Sequence, residues 1–323
     1  MSRIAVIGAG SFGARHVQGL ARIDRPLHVD VVDPSEAART RAMSLLAEAG
    51  GLRHGTCVMH ADLSALREAP DLAIVATAAR ERPRAVRDAV SVGARRMILE
   101  KVLFTRLADF DDASDLFQRR GLQVWVNCTR RAYPRAIELK QLVAGKPVAY
   151  TVSGAGWGLA SNVIHHLDEF SMLCGTVDIE VSAEALCPAF TEAKRLGYIE
   201  FFGSLRGRTP DGSVFTAVCT EGTEAIPGDR EIVIETDDVR IELRQSRDTM
   251  YVVQSGQRHS RPYPAPLQSE LTAPVVTSIL DGAPPCLPDY NTAAAIHRVL
   301  IGTLLGHMRR STGNPDLNEV PIT

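Results

Sequence analysis

The first thirteen residues constrain this chain more than any other stretch. Ile4-Ala5-Val6-Ile7 is a short apolar run of the kind that makes a buried strand, and Gly8-Ala9-Gly10-Ser11-Phe12-Gly13 follows it directly. Ala14 to Ile23 then reads as a helix with Val17, Leu20 and Ala21 on one side. Each glycine of this Gly-x-Gly-x-x-Gly pattern has a mechanical reason. Gly8 allows a sharp turn out of the strand, Gly10 lets the backbone approach a pyrophosphate, and Gly13 lets the helix pack closely on the strand. The N–H groups at the helix start, with the helix dipole behind them, suit phosphate oxygens.

Alone, the glycine pattern is weak. The next apolar run, Leu27-His28-Val29-Asp30-Val31-Val32, strengthens it by ending in Asp33, at the spacing where a carboxylate receives an adenosine ribose. The reading is a dinucleotide site built from Gly8, Gly10, Ser11, Phe12, Gly13 and Asp33. NAD is expected in preference to NADP, because a carboxylate repels a 2′-phosphate. Arg39 and Arg41 follow closely and keep NADP open. The competing reading is a glycine-rich turn in an ordinary doubly wound sheet.

Beyond Asp33 the chain alternates. A helix from Pro34-Ser35 to about Ala49, a strand near Cys57 to His60 and a short helix from Asp62 to Glu68 come first. The strand Leu72 to Thr77, a helix opened by Pro83, the strand Arg96 to Lys101, a helix over Leu107 to Arg119 and the strand Leu122 to Asn127 follow. Strict alternation predicts a parallel sheet with helices on both faces. The rhythm then changes. Helices are expected over Ala132 to Ala144 and Asn162 to Cys174. After Ile179, strand follows strand to Val253, separated by turns such as Pro210-Asp211-Gly212 and Pro227-Gly228-Asp229. That pattern predicts an antiparallel sheet. Two helices, Leu271 to Leu280 and Asn291 to Arg310, close the chain. At 323 residues two domains are expected, divided as 1–124 and 125–323.

Composition removes several function classes. The formal net charge of −2 argues against a nucleic-acid partner, and 5% aromatic residues are too few for broad base stacking. The six cysteines form no C-x-x-C pair and are irregularly spaced, as expected for reduced thiols of a cytoplasmic protein with no structural zinc. No secretory leader is expected, and no apolar run approaches the length that spans a bilayer.

Ligands of open parallel sheets bind at the carboxyl ends of the strands, which singles out Thr77, Glu100-Lys101 and Asn127. A Glu-Lys pair just past an apolar strand is unusual. Facing a cleft, Lys101 could polarise a substrate hydroxyl, its pKa lowered by partial burial; otherwise the pair is a solvated strand end. The second candidate is the helix carrying Ser161-Asn162-Val163-Ile164-His165-His166-Leu167-Asp168. At helical spacing Ser161, His165, Asp168 and Met172 share a face opposite Val163, Leu167, Phe170 and Cys174. His165 is the better general acid/base, and His166 reads as a satisfied, partly buried histidine. Adjacent helical histidines diverge, so no metal site is expected. Arg130 and Arg131 could bind a substrate anion or be solvated. Lys194 and Arg195 sit in a loop with the same two readings, and His16 reads as packing.

The glycine turn, the Asp33 strand end, Glu100-Lys101 and the His165-x-x-Asp168 helix together resemble the glucose–fructose oxidoreductase / inositol dehydrogenase / MocA family over essentially the whole chain. The resemblance implies an N-terminal Rossmann domain followed by an α+β domain with a large open, mainly antiparallel sheet. It also implies NAD(P)-dependent oxidation or reduction of a sugar or related polyol, and a homodimer or homotetramer formed through the sheet. It implies Lys101 and His165 as catalytic residues, and Asp168, Ser161, Asn162, Asn127 and Arg130 on the substrate. Thr77, Glu100 and Lys101 join the glycines and Asp33 on the cofactor. Asn162 to Asp168, Lys194 to Phe201 and Pro321-Ile322-Thr323 are similar to a branch associated with bacterial surface sugars. Two departures stand out: the family's Glu-Lys-Pro is Glu100-Lys101-Val102, and its acidic residue four before the helix histidine is Ser161. They keep two other readings open. One is a redox-assisted lyase or glycosidase with no net NADH production; the other is an NAD and sugar binder without catalysis.

Overall fold

The computed structural model describes residues 1–193, 195–222 and 230–323. Lys194 and the Pro227-Gly228-Asp229 turn lie outside them. The elements run β1 (Ser2–Ile7), α1 (Ser11–Leu20), β2 (Leu27–Val32), α2 (Glu36–Glu48), β3 (Gly55–His60), β4 (Leu72–Val75), α3 (Arg82–Ser91), β5 (Arg96–Leu99), α4 (Leu107–Arg120) and β6 (Gln123–Val126). Then come α5 (Ala136–Val143), β7 (Ala149–Ala155), α6 (Leu159–Cys174), β8 (Glu180–Glu192), β9 (Ile199–Arg208) and β10 (Val214–Thr220). The chain ends with β11 (Glu231–Glu235), β12 (Val239–Arg244), β13 (Thr249–Gln254), β14 (Gln257–Pro262), α7 (Gln268–Leu280) and α8 (Tyr290–Thr312).

The chain divides into two compact units. The first holds Met1–Phe104, Ala108–Ala132 and Pro266–Ala293. Its sheet has the order β3-β2-β1-β4-β5-β6, every pair parallel. β4 is buried at all four positions, as a strand covered on both faces must be. Ile4, Val6, Val29, Val31, Leu72 and Ile74 meet Val17 and Leu20 of α1 and Ala42 and Leu46 of α2 in one core. Val276 and Ile279 of α7 complete it. A Cβ on Gly19 would lie 2.7 Å from the Cβ of Thr272, so a glycine is what lets α1 and α7 touch. A single cut at residue 125 leaves α7 in the second domain; packing returns it to the first unit. An apolar helix stripe does not name its partner, so that return is invisible in the sequence.

The second unit holds Thr105–Leu107, Tyr133–Ala265 and Ala294–Thr323. Its sheet has the order β14-β13-β12-β11-β7-β10-β9-β8, antiparallel except for the parallel pair β7 and β10. β11 and β12 alternate buried and more exposed residues, the period of a sheet with one packed face. That face carries Tyr150, Val152, Phe215, Ala217, Ile232 and Ile241, and α6 packs against β9 and β10.

Three local expectations change. Residues 62 to 68 form only a single helical turn at Leu63–Ala65. The helix expected over 132 to 144 splits into a turn at Thr129–Ala132 and α5, with Pro134 between them, where proline disfavours helix in its predecessor. β14 was not anticipated, because Gln257-Arg258-His259-Ser260-Arg261 contains no apolar residue; it is an exposed edge strand.

Candidate active site

The turn between β1 and α1 is built as the glycine pattern requires. Gly8 has φ +91°, a conformation L side chains rarely adopt. A Cβ on Gly13 would sit 1.9 Å from the carbonyl oxygen of Gly8, so the helix lies against the turn at glycine distance. A Cβ on Gly10 would meet nothing within 4 Å, which leaves open space over the turn. α1 starts from Gly10 with no side-chain cap and no acidic residue in its first turn, so no carboxylate of its own opposes a phosphate there. Ser11 and Phe12 of that turn are exposed, Phe12 at 52%.

Asp33 follows β2 and is fixed locally. Its carboxylate accepts the Ala9 N–H at 2.7 Å and the Ser35 N–H at 2.8 Å. A carboxylate offers further lone pairs, so a ribose hydroxyl can still be received. Arg39 turns its Nη1 to the backbone carbonyls of Asp33, at 2.5 Å, and Pro34, at 3.1 Å. At the end of β4, the Thr77 Oγ1 is a buried hydroxyl with no hydrogen-bond partner among the described residues. The open cradle, the fixed carboxylate and the unsatisfied hydroxyl fit a bound dinucleotide.

Glu100 and Lys101 follow β5, both buried, Lys101 at 9% exposure. Lys101 Nζ lies 5.9 Å from the Phe12 ring centroid, and the Lys101–Val102 peptide is cis. Glu100 belongs to a closed ring of hydrogen bonds. Its Oε1 meets His16 Nε2 at 2.9 Å and accepts from Asn127 Nδ2 at 2.5 Å. Asn127 Nδ2 also donates to Gln268 Oε1 at 2.9 Å, Gln268 Nε2 donates to Thr272 Oγ1 at 3.3 Å, and Thr272 Oγ1 meets His16 Nδ1 at 3.0 Å. Burial by itself raises the Glu100 carboxyl. The His16 hydrogen bond and the charges of His16, Lys101 and Arg82 outweigh it and hold Glu100 below the usual carboxylate range.

In the second unit, α6 begins at Gly158, φ +70°. Glu200 of β9 closes that end: it accepts the N–H of Ala160 at 2.8 Å and of Ser161 at 3.3 Å, and the Ser161 hydroxyl as well. Asn162 Nδ2 donates to the carbonyls of Trp157 and Gly158, at 2.9 and 3.0 Å. Ser161 and Asn162 thus make bonds that stabilise the helix start. His165 is half-buried and Asp168 is buried, although the helical pattern set them with the polar face. His166 is fully buried, its Nδ1 2.9 Å from the Tyr150 hydroxyl, which donates to Glu169 at 2.6 Å.

Residues 2–128 match the model of an oxidoreductase family with an NAD-binding Rossmann fold, GFO_IDH_MocA. No curated protein matches the chain. Solved structures share the whole fold at low identity. UDP-N-acetylglucosamine 3-dehydrogenase from Acidithiobacillus ferrooxidans is 18% identical, with TM-score 0.70 over 96% of this chain and 97% of that one. An oxidoreductase from Agrobacterium radiobacter, solved with NAD+, L-tartaric acid and magnesium, is 15% identical, with TM-score 0.71 over 99% and 98%. Biliverdin reductase from Synechocystis, solved with biliverdin and NADP+, is 14% identical, with TM-score 0.69 over 96% and 99%.

Several site residues take positions that sequence did not suggest. His16 is part of the frame of Glu100 rather than general packing. Asn127 serves that frame too, and Gln268 and Thr272 join it from a helix that looked remote. Arg130 is buried in the turn after β6, and Arg131 is half-buried. Among the described residues no His, Cys, Asp and Glu group is arranged to hold a metal, and no helix is long and apolar enough to cross a membrane. Burial, with Asp30 beside it, pushes the Cys57 thiol up to about 12, so it is not a nucleophile.

Proposed function

We propose that this protein is an NAD-dependent oxidoreductase that moves a hydride between the nicotinamide and a hydroxyl-bearing or keto carbon of a sugar or sugar derivative. The supporting observation is Lys101: a buried lysine, beside an ionised Glu100, in the unit that carries the glycine cradle. Gly8 to Gly13 would hold the pyrophosphate, Asp33 the adenosine ribose, and Thr77 and Glu100 the nicotinamide end. NAD, when bound, supplies the hydride acceptor. Lys101 donates a hydrogen bond from its ammonium to the reacting oxygen and draws charge onto it. His165 takes the hydroxyl proton, and Asp168 orients a neighbouring hydroxyl. Arg130 and Asn127 support the substrate side, Asn127 through Glu100. The Asp33 carboxylate supports NAD over NADP, as does the turning of Arg39 to backbone carbonyls. A role with surface sugars, in the cytoplasm, with the open sheet pairing two or four copies, is what the family resemblance adds to this reading.

A panel of nucleotide sugars and free polyols, followed by NADH absorbance, tests this reading. NADH formation with at least one member is expected. NAD binding without NADH from any member, while substrate carbon–hydrogen bonds exchange, would replace it with the redox-assisted lyase reading. The binder reading draws on Ser161 and Asn162, whose polar groups are engaged at the start of α6; binding without exchange would favour it.

A further inference from the structure

The residues after Lys101, Val102 to Phe104, are fully buried, and a single side chain fixes their path. Arg82, in the first turn of α3, is 1% exposed. Its Nη1 donates to the carbonyls of Val102 and Leu103, the latter at 3.0 Å, and its Nη2 donates to the carbonyl of Thr77. One guanidinium therefore ties the segment leaving β5 to the segment leaving β4. A guanidinium is a flat, rigid fork, so three carbonyls met by one such group fix an angle as well as a distance; an ammonium is a point charge and cannot do this. Burying a permanent cation is costly unless other charge compensates it. Glu100 supplies that charge, since Arg82 contributes to holding its carboxyl ionised.

Helix pattern alone gives Arg82 no such role. It lies between Glu81 and Pro83 in the sequence Arg80-Glu81-Arg82-Pro83-Arg84, where arginines normally face water. Lys101 is thus framed from two directions. On its N-terminal side the Glu100 ring sets its charge environment. On its C-terminal side Arg82 holds the two carbonyls that follow it.

We infer that Arg82 is the positioning residue for Lys101, an inference that rests on the reading of Lys101 as the acting group. Lys101 is one of four lysines in the chain, with Lys140, Lys146 and Lys194, so its amine can be followed alone by trace acetylation with acetic anhydride and mass spectrometry across pH. No substrate is needed, so failure of the sugar panel leaves this readout intact. In Arg82→Gln, with the fold checked by circular dichroism, the segment after Lys101 is released and Lys101 acetylation relative to Lys140 should rise by about tenfold as the buried amine becomes reachable. Millimolar guanidinium should reverse the rise by filling the vacated space. Where Arg82→Gln does not fold, Arg82→Lys keeps the cation but loses the fork, and the same rise is expected. Unchanged Lys101 reactivity in a folded variant would overturn the inference. So would a rise that guanidinium leaves untouched in Arg82→Gln, since that marks general loosening.

Discussion

Among the described residues two helices, α1 and α6, begin at a glycine, and they treat their N–H groups in opposite ways. α1 starts from Gly10 with no side-chain cap and no acid in its first turn. α6 starts from Gly158 and is stopped by Glu200, which takes two backbone N–H groups and the Ser161 hydroxyl. A free helix start is an anion site; one filled by a carboxylate is not. On the proposed reading the first unit keeps its helix start for a phosphate. The second uses its start for stability, and an anionic group on a substrate gains nothing from α6.

Glycine substitutions should separate the two starts most strongly. Gly13→Ala forces a Cβ to 1.9 Å from the Gly8 carbonyl, and overpacking of that kind costs about 3 kcal/mol or more. Urea unfolding should show that loss, together with loss of NAD binding. Gly158→Ala meets only the ends of the Asn162 and Glu200 side chains at 3.1 Å. It should cost about 1–2 kcal/mol, the left-handed backbone penalty. Equal effects would erase the distinction between the two starts.

Charge provides the next comparison. Ser11→Asp places at α1 the kind of group Glu200 places at α6. NAD affinity should fall by about a hundredfold, or about 2.7 kcal/mol, in a fluorescence titration, while the melting temperature holds or rises. Glu200→Gln should cost about 1–2 kcal/mol in thermal unfolding, as removal of a helix cap does, with NAD affinity unchanged.

The smallest effect concerns the buried carboxylate of Glu100. Glu100 is held below its usual value of 4.5, so its ionised form stabilises the fold above that pH. The contribution is lost as pH falls through the depressed folded value. Acid titration of wild type against Glu100→Gln should show a steeper loss of stability in wild type below about pH 4.5; parallel curves would mean that Glu100 is not held ionised.

Much of this was readable beforehand because it is local. The glycine turn, the Asp33 strand end and the burial of β4 depend on neighbours in sequence, and the pattern names them. The two-sheet architecture was legible for the same reason, through a rhythm that changes near residue 125. What stayed hidden depends on partners far along the chain. His16 looked like packing because Glu100, Thr272 and Gln268 are brought to it only by the fold. The role of Arg82 has no sequence signal because its acceptors are backbone carbonyls. The substitution at Ser161 read as a missing acid, yet Glu200 stands against that serine from β9.

The central claim concerns Lys101, and Lys101→Met tests it most directly. Methionine keeps the length of the buried stem and removes the ammonium. NAD titration and NADH formation would be measured together, with whichever sugar the panel yields. The account predicts NAD affinity within a few-fold of wild type and turnover reduced by about a thousandfold, or about 4 kcal/mol of transition-state stabilisation. Near-normal turnover with Lys101→Met would contradict it.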